Sequence, residues 1–243
     1  MNNQSLTAEE MQAFEQFVCD RFNITVNEMM QQAGGSVAAL ARSILNGDED
    51  EGAGSRSLRV SRDEKRKNNR ILIICGKGNN GGDVLVATQL LHREGFDVTV
   101  FSPYSVIEFT STAVRELDKV VHSPIPIFDS LKCLDLSSFD LIIDGLFGFS
   151  LKGDPRPPAN EIIEQIIYSR VPVLAVDVPS GFDVTVGKPQ NPTVRATHTL
   201  VLGMLKNGLH YHPEVIGNLF FGDIGIPKEA YVAKGYPYPQ FVN

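Results

Sequence analysis

Basic residues are in deficit, cysteine is scarce, and no long apolar run occurs. Lys and Arg number 22 against 29 Asp and Glu in 243 residues, a formal net charge of −7. That deficit argues against general binding to nucleic acid or to an anionic membrane. The 3 cysteines, Cys19, Cys75 and Cys133, are odd in number and lack metal-ligand spacing. They read as reduced, mostly buried thiols in a reducing compartment. No apolar stretch approaches bilayer-spanning length. The polar, acidic start MNNQSLTAEEMQAFE resembles neither a secretory signal nor an Arg-rich transit peptide. The expectation is a cytoplasmic protein, with a mitochondrial one as the alternative.

What is present is enough chain for one α/β domain spanning 1–243 with a sizeable core. Its organising stretch is ILIICGKGNNGGDVLVATQLLHREG, from Ile71 to Gly95. The continuous apolar run Ile71–Ile74 fits a strand covered on both faces. Gly76, Gly78, Gly81 and Gly82 let the backbone turn and approach a ligand, and Val84, Ala87, Leu90 and Leu91 recur at helical spacing. Gly76, Gly78 and Gly81 also fit the dinucleotide fingerprint. Asp83 at the helix start would repel a pyrophosphate, and no acidic residue follows the next strand to hold a ribose. A routine NAD-dependent dehydrogenase is therefore disfavoured.

Around this unit the chain alternates. Thr7 with Glu10, and Thr25 with Glu28, are capping-box pairs ahead of two helices, the second carrying Met29, Met30, Ala33, Val37, Leu40 and Ile44. The Met pair reads as core, and Gly34-Gly35 as a point of close backbone packing. Residues 46–69 pass from an acidic to a basic block with few apolar anchors, a composition expected of a mobile charged insertion loop. Strands are predicted at Val98–Phe101, Leu141–Asp144, Val173–Val176, Thr199–Leu202 and Leu219–Phe221. Helices are predicted at Ser111–Val121, with Val114, Leu117 and Val121 inward, and after Pro157-Pro158. This alternation implies a mostly parallel sheet with helices on both faces.

In such sheets ligands lie beyond the carboxyl ends of the strands. Asp83, Asp144, and Asp177 with Ser180, all fall at such ends. Three carboxylates near one crevice repel one another unless a cation or a proton sits among them. Lys77 and Lys152 lie on the same loops and are candidates to offset that charge. Lys206-Asn207-Gly208 reads either as a far wall of the crevice or as a simple turn. His210 and His212 lack a third metal ligand at suitable spacing and read as a surface turn.

The motifs Asn79-Asn80-Gly81-Gly82-Asp83, Asp144-Gly145-Leu146-Phe147-Gly148, Asp177-Val178-Pro179-Ser180-Gly181 and Asp223-Ile224-Gly225-Ile226-Pro227 occur in order, preceded by MMQQAG at Met29–Gly34. Together they resemble the YjeF N-terminal domain family, the NAD(P)HX epimerases, over nearly the whole chain. The resemblance implies a Rossmann-like three-layer α/β/α sandwich and a homodimer. It implies interconversion of the R and S hydrates of NADH and NADPH (NADHX and NADPHX), with a separate NAD(P)HX dehydratase acting downstream. Carried over by residue, Asn79, Asn80, Gly81, Gly82, Asp83, Gly148, Phe149, Ser150, Leu151, Lys152, Gly153, Asp154 and Asp177 would bind substrate. Asn80, Asp144 and Ser180 would ligate a potassium ion (K+). Asp177 is the expected general acid/base, with Asp83 or Asp144 stabilising a cationic intermediate and Lys152 binding a phosphate. Val84 stands where the family has Gly, and a branched side chain there is expected to narrow the approach of substrate to the backbone. The rival reading is a non-catalytic nucleotide-binding or scaffold module of the same fold, of the RNA-decay type.

Overall fold

The structure, a computed structural model, describes residues 4–48 and 69–241. Of the segment expected as a mobile loop, residues 49–68 therefore lie outside the described residues. Two helices open the chain, α1 (Ala8–Phe22) and α2 (Val26–Asn46). Both begin at the predicted capping boxes. Thr7 N–H donates to Glu10 at 2.8 Å, and Thr25 N–H to Glu28 at 2.8 Å.

Next come β1 (Arg70–Cys75), α3 (Asn79–Arg93), β2 (Asp97–Phe101), α4 (Ser111–Val121) and β3 (Ile127–Phe128). They are followed by β4 (Leu141–Gly145), α5 (Ala159–Ser169), β5 (Val173–Val176) and a short hairpin of β6 (Phe182–Asp183) and β7 (Lys188–Pro189). The described chain closes with β8 (His198–Leu202), α6 (Pro213–Ile216), β9 (Asn218–Gly222) and α7 (Lys228–Lys234).

One 7-stranded sheet runs in the order β3-β2-β1-β4-β5-β8-β9, and every pairing in it is parallel. Strand β1 splits its side chains by the two-residue period. Ile71, Ile73 and Cys75 enter a core with α1–α4 and α7, whereas Leu72 and Ile74 enter a second core with Ile162, Ile163 and Ile166 of α5. The result is the expected α/β/α sandwich. The chain order reverses between β1 and β4, and a crevice opens there beyond the strand ends.

Several details differ from expectation. The inward stripe of α4 is Ala113, Leu117 and Val120, at i, i+4 and i+7, which turns Val121 outward to 55% exposure. The cysteines divide three ways: Cys75 is buried, Cys19 half-buried and Cys133 exposed. Gly34 packs against another helix as expected, since a methyl there would lie 2.4 Å from Val86 Cβ, but Gly35 faces open space. Among the described residues no helix is long and apolar enough to cross a membrane.

Candidate active site

The crevice is a cavity of about 560 Å³, within the size range of small-molecule sites. Its walls come from separated parts of the chain. Glu15 comes from α1, Met29 and Met30 from α2, Asn80 and Asp83 from α3, Phe147–Ser150 from the loop after β4, Asp177 from the end of β5, and Lys206 from the loop after β8. The glycine turn forms because its backbones nearly touch. A methyl on Gly81 would lie 1.8 Å from Gly76 O, and one on Gly76 would lie 2.0 Å from Leu146 O. Only glycine permits that approach, which draws the α3 N-terminus against the β4 loop.

Asp177 sits in a strained turn. Its φ is +68°, and Val178 N–H donates to Val176 O at 2.9 Å across it, the signature of a γ-turn with positive φ. The turn folds the side chain back toward β8, where Asp177 Oδ1 accepts from Leu202 N–H at 3.3 Å. Lys206 is fully buried, ion-paired with Asp177 Oδ1, and donates to Leu202 O at 2.5 Å. The other carboxylate oxygen of Asp177 faces the cavity loop: a methyl built on Gly148 would lie 3.5 Å from Oδ2.

Beside this pair, Asp83 is buried on α3. Burial, then the charges of Asp177 and Glu15, push its pKa well above the usual carboxylate range, with Lys206 opposing them. That direction favours the protonated form of Asp83 over the charged one. Glu15, half-buried, is pushed up to about 7 by burial, against the pull of Lys206 and with a further push from Asp177. The cavity thus pairs a carboxyl group whose burial favours the protonated form with an ion-paired carboxylate, the division of labour that proton-transfer sites use.

Asp144 stands behind the wall rather than in it. Ser180 Oγ donates to its Oδ1 at 2.7 Å, Ser180 N–H to its Oδ2 at 2.8 Å, and Leu146 N–H to its Oδ1 at 3.2 Å. Burial pushes the Asp144 pKa up, against these donors. Asn80 Nδ2 donates to Phe147 O at 2.8 Å and to Val176 O at 3.2 Å, so two carbonyls converge on that amide. Among the described residues no cationic side chain pairs with Asp144. This carboxylate, hydroxyl, amide and carbonyl oxygen set is hard, and it fits an alkali cation better than a soft metal.

The sequence-predicted site residues divide by position. Asn79, Asn80, Asp83, Gly148, Phe149, Ser150 and Asp177 line the cavity, while Gly81 and Gly82 pack behind it. Leu151 to Asp154 do not line it. Gly153 N–H donates to Asp183 at 2.8 Å and Asn191 N–H to Asp154 at 3.0 Å, which ties this part of the loop to the β6–β7 region. Lys152 is exposed, and Lys77 at the mouth pairs with Glu108 at 3.1 Å. The cation beside Asp177 is instead Lys206, so that segment is a wall of the crevice and not a simple turn. Met29 and Met30 are both core and cavity lining.

Val84 is fully buried and points away from the cavity onto Gly145, where an added methyl would meet its Cγ1 at 2.4 Å. It does not narrow the approach to the backbone. Sequence reasoning missed Glu15. The available signal was a carboxylate four residues after Met11 and three before Val18, inside the buried stripe of α1.

The model of the YjeF-related protein N-terminus family matches residues 26–208. A Plasmodium vivax protein named NAD(P)H-hydrate epimerase is 33% identical over 230 residues, covering 94% of this chain and 71% of that one. A Weissella koreensis protein of the same name is 30% identical over 228 residues, covering 93% of each chain. The crystal structure of yeast YNL200c aligns with a TM-score of 0.79 over 99% of this chain and 97% of that one, at 24% identity, a likeness of fold.

Proposed function

We infer that this chain, which belongs to the family of the YjeF-related protein N-terminus, is an NAD(P)H-hydrate epimerase. Its substrates are NADHX and NADPHX, in which water has added to the nicotinamide ring, and it interconverts their R and S forms. The observation that carries this reading beyond the names of relatives is the cavity chemistry: buried Asp83, its pKa pushed up chiefly by burial, beside the Asp177–Lys206 ion pair. Epimerisation at a carbon bearing a hydroxyl and a ring nitrogen requires a proton given and a proton taken, with no net redox change.

In this mechanism Asp83 donates its proton to the ring hydroxyl, the C–O bond breaks with its electron pair going to oxygen, and water leaves. The ring nitrogen lone pair stabilises the cation that remains. Asp177, held by Lys206, lowers the energy of that cation electrostatically. Water then adds to the other face, and Asp177 takes the proton it loses. The reverse direction exchanges the two roles. Met29, Met30 and Phe149 supply an apolar wall that limits bulk water around the cation.

A potassium ion held by Asn80, Asp144 and Ser180 belongs to the same proposal. When bound it supplies a fixed positive charge behind the wall; its support is the hard oxygen set and the buried carboxylate that lacks a cationic partner among the described residues. A separate dehydratase would consume one epimer. A homodimer is also proposed, supported by the exposed apolar side chains Val106, Ile107 and Val121 near the β3 edge of the sheet. Interconversion of the separated hydrates, measured against a no-enzyme control, tests the central reading.

A further inference from the structure

The proposed reaction leaves a proton in the wrong place. After one passage Asp83 has lost a proton and Asp177 has gained one, and the cycle cannot repeat in the same direction until both are reset. These groups are poorly placed to exchange with bulk water: Asp83 is 8% exposed, Asp177 4% and Lys206 0%. Something on the cavity surface must connect them to solvent.

We propose that Glu15 is the proton-exchange residue of this site, resetting Asp83 and Asp177 between turnovers from the more open side of the cavity. The inference rests on the epimerase reading and extends it to a residue outside the segment matched by the family model, 26–208.

Three observations place Glu15 in this role. First, the helix that carries it is fixed to the catalytic floor. Ahead of α1, Leu6 forms a parallel bridge with Lys206, with Leu6 N–H donating to Leu205 O at 2.8 Å and Asn207 N–H to Leu6 O at 2.8 Å. Second, Met11, Phe14 and Val18 anchor α1 in the core, and Glu15 lies on that face at the cavity where an apolar side chain would otherwise complete the stripe. Burying a carboxylate there costs stability, and a role in the reaction accounts for its presence. Third, Glu15 is half-buried, so it meets both the cavity and water.

The groups facing it come from each neighbouring element: Lys206 from the loop after β8, Asp177 from the end of β5 and Asp83 from α3. On its own helix, Cys19 also feels its charge. Burial, opposed by Lys206 and aided by Asp177, brings Glu15 to about 7, where a shuttle can both give and take a proton at neutral pH.

The test compares wild type, Glu15→Gln and Glu15→Asp in steady-state exchange of the hydrates from pH 5.5 to 9, with and without imidazole buffer, after equal melting temperatures establish that each variant folds. Glu15→Gln is expected to slow steady-state exchange about tenfold or more, to lose the rate dependence near neutral pH, and to recover in imidazole, which carries protons in its place. Glu15→Asp is expected to retain part of the rate. A Glu15→Gln protein that matches wild type in rate and pH profile overturns the inference, as does a slowed variant that imidazole does not rescue, because a structural role would behave so. If wild type itself shows no exchange above the control, the epimerase reading fails first.

Discussion

The ammonium of Lys206 is buried against the carboxylate of Asp177, joining the loop after β8 to a strained turn at the end of β5. Neither charge has the open solvation that would let it stand alone. The Asp177 backbone holds a positive φ that a non-glycine residue adopts at a cost, so strain and ion pair maintain each other.

Removing either partner should therefore be expensive. Lys206→Met leaves a buried carboxylate uncompensated and is expected to lower unfolding stability by about 3–5 kcal/mol and to abolish exchange. Asp177→Asn keeps the shape, and Asn tolerates the left-handed backbone. It should lose exchange activity while destabilising less than Asp177→Ala. Denaturant unfolding beside the hydrate assay separates the two effects, and an active Asp177→Asn enzyme would remove this residue from the mechanism.

Stability should fall with pH on account of Asp83. Its folded-state pKa is raised, chiefly by burial and by the charge of Asp177. An acid raised in this way binds a proton in the fold that the unfolded chain, with a pKa of about 3.9, releases. Its contribution is full at low pH and is lost as pH rises from about 4 through the folded pKa. Asp83→Asn should flatten that decline and be more stable than wild type at pH 8, while losing activity. Urea unfolding at several pH values measures it, and an unchanged slope would contradict the assignment.

Val84 should matter to folding and not to catalysis. Val84→Ala opens space against Gly145 in the core and is expected to cost about 1–3 kcal/mol, with kcat/KM unchanged. A large loss of kcat/KM at unchanged stability would show that Val84 does shape the site.

Potassium should stabilise the protein through Asp144. Replacing choline with potassium at constant ionic strength is expected to raise the melting temperature in a concentration-dependent way, and Asp144→Asn should abolish the response. Equal melting temperatures of wild type in the two salts would argue against the ion.

Much of this arrangement was legible in the sequence, for identifiable reasons. The run Ile71–Ile74, the glycines after it and the capping boxes at Thr7 and Thr25 are local signals with one dominant structural solution each. The parallel sheet and the placement of Asp83 and Asp177 at one crevice followed from strand–helix alternation. What escaped was long-range. Lys206 lies 29 positions after Asp177, and the sheet order that brings their loops together is not encoded in spacing. Asp144 looked equivalent to the other carboxylates because strand ends are alike in sequence, yet Ser180 draws it behind the wall. The reach of Glu15 into the cavity depends on how α1 docks, which the bridge between Leu6 and Lys206 decides.

The most direct measurement takes the S and R hydrates of NADH separately, adds the purified protein or buffer alone, and follows both epimers by chromatography. Each epimer alone should move to the same mixture much faster with wild-type protein than in buffer, and at the buffer rate with Asp177→Asn. Conversion by wild type no faster than in buffer, with the protein folded, would contradict the account.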